Sequence, residues 1–326
     1  MQMEYDVLVG FSVNPEEHWW STNGTPEPGN KNPARHSTEL SGTSYDVAVA
    51  LQRAGRRPFL VGVVGRSDHY ASYVDQQLEA AQIPHLALRL RPRTPVASII
   101  HGVLPNGHDL HLSDKEPLQE VPAVSIAMQL RSIAPRIRVV TGLMLDPKEL
   151  ALTRLLLDGD QCLRVLNPPP ALVRAHDELI QLLGVTDWLV LNRYEAAAFF
   201  PDGETVDPAV FLRYGPKLVL VTKDRAGATL YGAGGVCHEI PAFAAGSEVH
   251  ATGAGDCFLG YFLAGHLMGW PLDRCLALAA VAAGIKVTVP GTASSPLMVD
   301  VIPRLEAWEH YRELGAVTSD RSEVAP

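Results

Sequence analysis

The chain begins with an apolar run from Tyr5 to Val13, punctuated by Gly10, which is the pattern of a buried opening strand. From Asn14 to Leu40 the pattern dissolves. Pro, Gly, Asn, Ser and charged residues surround the pair Trp19 and Trp20, so a loop or small excursion from the core is expected there. Ser41-Gly42-Thr43-Ser44 then opens a helix with Val47, Ala50, Leu51 and Ala54 on its apolar face and Gly55 as its stop. Phe59 to Val64 reads as a strand and Asp68 to Ala81 as a helix. Three short β-like runs follow, His85 to Leu90, Val96 to Leu104 and Asp109 to Leu112, separated by Arg91-Pro92-Arg93 and the turn Pro105-Asn106-Gly107. They are expected to form a hairpin-rich insertion.

Beyond the insertion, strand and helix alternate. Arg138 to Thr141, Leu163 to Leu166, Trp188 to Leu191 and Lys217 to Thr222 read as strands. Leu150 to Leu157, Leu172 to Leu183 and Tyr194 to Phe200 read as the helices between them. That rhythm implies βαβ crossovers and a mainly parallel sheet covered on both faces. Ala254 to Met268, apolar nearly all round, and Leu272 to Val287 predict two buried helices packed closely together. The tail from Gly315 to Pro326 carries no such pattern and is expected to be disordered. No internal repeat interrupts the scheme.

A length of 326 residues with 47% hydrophobic side chains suffices for one large α/β domain. Lys and Arg number 27 against 36 Asp and Glu, and a net charge of -9 argues against nucleic acid as a partner. ATP is not excluded, because a nucleotide is held locally by backbone N–H groups and a metal ion. Cys162, Cys237, Cys257 and Cys275 show neither a CxxC pair nor zinc spacing, which disfavours a disulfide framework. Glu4 and Asp6 stand where a signal peptide would be basic, and the apolar stretch Leu276 to Ile285 is too short to span a bilayer. A cytoplasmic location without membrane contact is therefore expected.

The sharpest chemical signal is Ala251-Thr252-Gly253-Ala254-Gly255-Asp256. Small residues leading into a helix let successive N–H groups converge, and the helix N-terminus adds partial positive charge, so the segment suits an anion. Asp256 at its rim would repel a phosphate and belongs beside the attacking nucleophile, as a base for a hydroxyl proton. The same residues also suit a tight turn followed by an acid at a helix start. Asn192-Arg193-Tyr194-Glu195 after a strand likewise reads both as a capping arrangement and as an amide and carboxylate presented to hydrated Mg²⁺.

Taken together, these segments resemble the ribokinase-like (PfkB) carbohydrate kinase family. Thr252-Gly253-Ala254-Gly255-Asp256 matches its Gly-Ala-Gly-Asp signature, and Asn192 with Glu195 resembles its Asn-x-x-Glu motif. Leu218 to Thr222 with Ala226-Gly227-Ala228 resembles the strand and turn of its nucleotide site, and Asn167-Pro168-Pro169-Pro170 and Gly291-Thr292-Ala293-Ser294 fall where similar segments lie. Order and spacing agree from about Gly10 to Ser295. The resemblance implies an α/β, three-layer αβα sandwich, Rossmann-like, with a small β-sheet lid from about residues 11–40 and 85–113. It implies ATP and Mg²⁺ as reactants, with Asn192, Glu195, Thr222, Lys223, Gly227 and Thr252 at the nucleotide and Glu195 at the metal. Gly253, Ala254 and Gly255 would form the anion hole and Asp256 the base.

The acceptor side departs from the family. Ser41-Gly42-Thr43-Ser44-Tyr45-Asp46-Val47-Ala48 lies at its Gly-Gly-x-Gly-x-Asn-x-Ala motif but keeps only Gly42 and Ala48 of it. Asp46 replaces the asparagine; it accepts hydrogen bonds, and repels a phosphorylated substrate. As a helix first-turn acid it has an alternative role. After the first strand Asn14, Glu16 and Glu17 all stand as candidates to grip a sugar. His250 replaces an aspartate associated with a monovalent cation, so potassium is doubtful, and Asp224 replaces a glycine beside Lys223. The sequence thus points to transfer of the γ-phosphate of ATP to a hydroxyl of a sugar-like substrate. Its alternatives are a nucleoside or vitamin kinase on the same fold, or a catalytically silent binding homologue. Trp19 and Trp20 suit stacking on a sugar or a homodimer contact through the lid.

Overall fold

The computed structural model describes residues 4–320, apart from 25, 28, 104–109, 115, 143–145, 160, 201–205 and 233–236. Strand β1 (Val7–Phe11) runs into β2 (Asn14–Ser21) and β3 (Ala34–Ser41), followed by α1 (Thr43–Arg53), β4 (Pro58–Gly65), α2 (His69–Ala80), β5 (His85–Arg91), β6 (Val96–His101) and β7 (Leu110–Asp114). Next come α3 (Ala123–Leu130), β8 (Ile137–Thr141), α4 (Pro147–Leu157), β9 (Leu163–Asn167), α5 (Pro170–Arg174) and α6 (His176–Leu183). The chain continues through β10 (Trp188–Asn192), α7 (Arg193–Ala197), β11 (Leu218–Thr222), β12 (Ala228–Gly232) and β13 (Cys237–Ile240). It ends in α8 (Ala254–Leu267), α9 (Leu272–Lys286) and α10 (Met298–Asp320).

Nine strands form the main sheet in the order β13-β12-β11-β10-β9-β8-β1-β4-β5, parallel from β11 to β5 and antiparallel at β12 and β13. Consecutive residues of its strands point to opposite faces, and both sets are apolar, as a sheet covered on both sides requires. Val7, Val9, Val139, Val165 and Val190 join one core with α1, α8 and α9. Leu8, Val140, Leu166, Leu189 and Leu191 join a second with α4, α5 and α6. This is the expected αβα sandwich. Burying a Leu or Val side chain is worth roughly 1.5–3 kcal/mol, so these two layers dominate the stability.

The remaining four strands make a separate sheet in the order β3-β2-β6-β7. The stretch from Asn14 to Leu40, a loop or small excursion by composition and part of a β lid by resemblance, holds β2 and β3, which pair antiparallel along their whole length. Their polar composition hid the period-2 pattern, since the inward face of β2 carries Asn14, Glu16, His18 and Trp20 rather than aliphatic residues. His85 to Leu90, assigned to the lid, instead forms β5 and pairs parallel with β4 at the edge of the main sheet, so the lid's second piece starts at Val96.

Smaller differences follow local geometry. Leu172 to Leu183 is two helices, broken where Ala175 leaves the helical region (φ -88°, ψ 79°). The final helix continues to Asp320, through part of the tail expected to be disordered; residues 321–326 of that tail, and the turn at Pro105-Asn106-Gly107, lie outside the described residues. Among the described residues no helix is long and apolar enough to cross a membrane.

Candidate active site

The parallel register brings chemistry to one edge. Phe11, Thr141 and Asn167 are aligned at the C-terminal ends of β1, β8 and β9, and Asn192 faces Thr222 at the ends of β10 and β11. In open α/β sheets that edge is where ligands bind. Asn192 caps α7: its Oδ1 accepts from the N–H groups of Tyr194 (2.9 Å) and Glu195 (2.8 Å), while Glu195 Oε2 accepts from the Asn192 N–H (2.8 Å). The capping reading of this motif is thus seen directly. Capping occupies one carboxylate oxygen of Glu195 and holds the other group rigidly at the strand end.

The β11–β12 turn lies further out along the same edge. The Lys223 N–H closes it onto the Gly227 carbonyl (2.7 Å), and Asp224 takes the left-handed φ of +51° that a glycine would adopt freely. The Lys223 ammonium pairs with Glu239 (3.5 Å), and Asp224 pairs with Arg193 (3.0 Å). The Lys223 ammonium thus has a protein partner in Glu239.

Helix α8 begins at that loop. Gly253 is its N-cap in a left-handed conformation (φ 82°), and a Cβ there would come within 2.3 Å of the Thr292 carbonyl oxygen, so only glycine fits. The Ala254 N–H donates to the Ala251 carbonyl (3.1 Å), which spends one donor of the expected anion hole. Gly253, Gly255 and Asp256 keep N–H groups without a protein acceptor among the described residues, and Gly255 faces open space. Behind the loop, the fully buried Lys286 of α9 donates to the carbonyls of His250 (3.1 Å) and Thr252. Thr252 therefore faces inwards through its carbonyl, and its residue serves the loop's shape. Lys286 was not singled out in the sequence: it sits in an apolar helix more than 30 residues from its partners.

On the acceptor side Gly42 (φ 112°) packs on Asn14, whose Oδ1 would lie 3.0 Å from any added Cβ, and the Asp46 N–H donates to the Gly42 carbonyl (2.9 Å). Asn14, Gly42 and Asp46 are brought together as expected. The alternation of β2 resolves the candidates after it. Glu16 points inwards, accepting from the Thr292 hydroxyl (2.6 Å), while Glu17 points to the other side, where the hydroxyls of Tyr70 and Ser98 donate to it.

His18 lies beside Glu16, with Nε2 3.3 Å from Glu16 Oε1 and 3.1 Å from Glu39 Oε1, and Nδ1 2.9 Å from His101. Trp20 stacks on His101 with ring centres 4.6 Å apart. The Thr292 N–H donates to Glu39 (3.0 Å), so one residue ties both lid carboxylates to the segment that backs Gly253. Among the described residues, Glu16, His18 and Glu39 are the one grouping whose atoms could surround a metal, all within 4.8 Å of one another. Each contacting atom already has a hydrogen-bond partner in the protein, so the grouping is a polar latch.

Burial and charge set the titration of these groups. Asp256 is pushed up to about 7, first by burial and then by the Glu195 charge, with Lys286 opposing. Glu195 is pushed up to about 7 by burial, against the Asn192 N–H bond. Asp46 is held well above the carboxylate range by burial and by the charges of Asp256 and Glu16. Burial pulls His18 down, yet its bonds to Glu16 and Glu39 outweigh this and raise it to about 9; Glu39 is lowered to about 2 because the His18 and Thr292 bonds outweigh its burial. His250 is lowered by burial and by Lys286, so it stands neutral beside the loop. Glu195 and Asp256 are thus two electrostatically linked carboxyl groups disfavoured as anions, and Glu195, with one oxygen outside the cap, would be the residue to hold a hard divalent cation.

A mainly parallel αβα sandwich with a β lid over a glycine-framed helix start defines the ribokinase fold. The pfkB family carbohydrate kinase model matches residues 23–298, and the chain belongs to that family. The chain is 33% identical over 109 residues to the cytidine kinase of Thermococcus kodakarensis, covering 32% of this chain and 38% of that protein. It is 30% identical over 137 residues to the nucleoside kinase of Methanocaldococcus jannaschii, covering 39% and 42% of the two chains. These matches span about two fifths of each relative. The structure of Arabidopsis thaliana ribokinase complexed with ribose and ATP superposes with a TM-score of 0.72 at 18% identity, over 93% of this chain and 99% of that one.

Proposed function

We propose that the protein transfers the γ-phosphate of ATP to a hydroxyl of a small sugar-like acceptor, as one kinase domain of residues 1–326 with its lid formed by β2, β3, β6 and β7. The observation that carries this reading is Asp256. Its carboxylate stands in the first turn of α8, beside free N–H groups of Gly253 and Gly255 and electrostatically linked to Glu195 of α7 and Asp46 of α1. A base there lies between the nucleotide edge and the acceptor hollow, which is where in-line transfer needs one.

In this mechanism Asn14, Gly42 and Asp46 orient the acceptor, and Asp256 takes the proton of its attacking hydroxyl. The Gly253, Gly255 and Asp256 N–H groups face the transferred phosphoryl and offset its developing charge. Asn192, Glu195 and Thr222 position the nucleotide phosphates, with Glu195 as the protein ligand of Mg²⁺. Magnesium, when bound, supplies charge neutralisation of the phosphate oxygens. Lys286 holds the loop by the His250 and Thr252 carbonyls, and with His250 in place of an aspartate this keeps potassium activation doubtful. The lid excludes water, and the outer edges of β3 and β7, without a strand neighbour among the described residues, offer an edge for a homodimer.

The names of the curated relatives support a nucleoside acceptor as a second reading, since the chemistry is shared and only the acceptor hollow differs. ADP release with Mg·ATP against pentoses, hexoses, sugar acids and nucleosides tests both. Turnover on one class identifies the acceptor. ATP binding without turnover on any hydroxyl compound would leave a binding homologue instead.

A further inference from the structure

Four carboxyl groups converge on the acceptor side, and burial with mutual repulsion pushes two of them, Asp46 and Asp256, up towards the protonated form. Glu16 from β2, Glu39 from β3, Asp46 from α1 and Asp256 from α8 meet there, and the cations among them are His18 and Lys286. Those two are already committed. His18 lies between Glu16 and Glu39, and Lys286 is turned to the His250 and Thr252 carbonyls. Asp46 feels the Lys286 charge but forms an ion pair with neither cation: its Oδ2 accepts from the Ser41 hydroxyl at 3.3 Å, and its Oδ1 is buried with no hydrogen-bond partner among the described residues.

Asp46 is 3% exposed, and a buried carboxylate oxygen without a partner costs stability unless a ligand supplies a donor. A neutral hydroxyl satisfies one lone pair and leaves Asp46 disfavoured as an anion. An ammonium group supplies donors and charge together, and charge-assisted bonds are about twice as strong as neutral ones. A phosphorylated or carboxylated acceptor adds negative charge beside carboxyl groups that already disfavour it.

Resting on the kinase reading of this site, we infer that the acceptor is a cationic polyol, an amino sugar or aminocyclitol whose ammonium group pairs with Asp46 and Glu16 while a neighbouring hydroxyl faces Asp256. Asp46 is then the residue that selects the substrate class. The same position occupied by asparagine would accept neutral polyols equally.

The test is calorimetric binding, in the presence of a non-hydrolysable ATP analogue, of matched compounds: D-glucosamine, D-galactosamine and 2-deoxystreptamine, each beside its hydroxyl counterpart and its N-acetyl form. The ammonium form is expected to bind on the order of tenfold tighter than both neutral forms. In Asp46→Asn that ratio is expected to fall towards one, with Glu16→Gln lowering it in part should the first variant fold poorly. Equal or tighter binding of the neutral forms, an unchanged ratio in both variants, or no binding of any ammonium compound at about 10 mM would overturn the inference. Turnover of a neutral acceptor that depends on Asp256 would leave the kinase reading standing without it. Ammonium preference without ADP release would do the reverse.

Discussion

The two halves of the site are built in different ways. On the nucleotide side, short contiguous segments do the work: Asn192 and Glu195 close a capping box within four residues, and Gly253 to Asp256 turn one loop into one helix start. On the acceptor side nothing is local. Thr292 reaches Glu39 across 253 residues and Glu16 across 276, and His18 reaches His101 across 83. A nucleotide's phosphates are met by backbone groups that any sequence with the right glycines supplies, whereas an acceptor's functional groups are met by side chains. The first half therefore keeps the family pattern, and the second is where this chain differs from it.

The largest expected effect breaks the backbone half. Gly253→Ala forces a Cβ into the left-handed region and to within 2.3 Å of the Thr292 oxygen. Strain of about 1–3 kcal/mol is expected to lower Tm, and displacement of the loop to reduce kcat by on the order of 10²-fold. Lys286→Met comes next, since it strips two loop carbonyls of their donor. Unsatisfied buried carbonyls cost about 1–3 kcal/mol, so kcat is expected to fall on the order of tenfold, with amide hydrogen exchange rising around residues 250–256.

A pH profile separates the halves further. Asp256 acts as a base only when ionised, and it is raised to about 7 with Glu195, Lys286, Glu16 and Asp46 around it. For the free enzyme kcat/KM is expected to rise with pH through about 7 and to level above it. A profile flat from pH 5 to 8 would remove Asp256 from the role of base.

The smallest effect concerns the lid. His18 is raised from 6.5 to about 9 and Glu39 lowered from 4.5 to about 2 in the folded protein. Their pairing therefore stabilises fully between pH 4.5 and 6.5, fades as pH rises through about 9, and fades as pH falls through about 2. His18→Gln is expected to lower Tm by about 2–4 °C near pH 6, with the difference closing above pH 9.

Legibility in the sequence follows the same division. The αβ rhythm, the Asn192 cap and the Asp256 loop were readable because each signal is periodic or contiguous. Strands β2 and β3 were legible through the resemblance to a β lid but not through periodicity, because the inward positions of β2 carry Asn14, Glu16 and His18 in place of the aliphatic residues that mark a core face. Strand β5 was grouped with the lid because its neighbours are hairpins, although its own pairing is with β4. Lys286 looked like a helix residue, and Thr292 stood out only as part of the family-like Gly291–Ser294 segment, since the roles of both exist only once distant carbonyls and carboxylates are folded against them. Ala254 shows the opposite limit: its place in a phosphate-type motif was legible, but the bond of its N–H to Ala251 was not.

The central claim is that Asp256 is the base of a phosphoryl transfer, and Asp256→Asn tests it most directly when turnover and nucleotide binding are measured on the same preparation. The substitution is expected to lower kcat by on the order of 10² to 10⁴-fold while leaving ATP affinity nearly unchanged. A loss of less than about threefold in kcat, with ATP binding intact, would contradict the account.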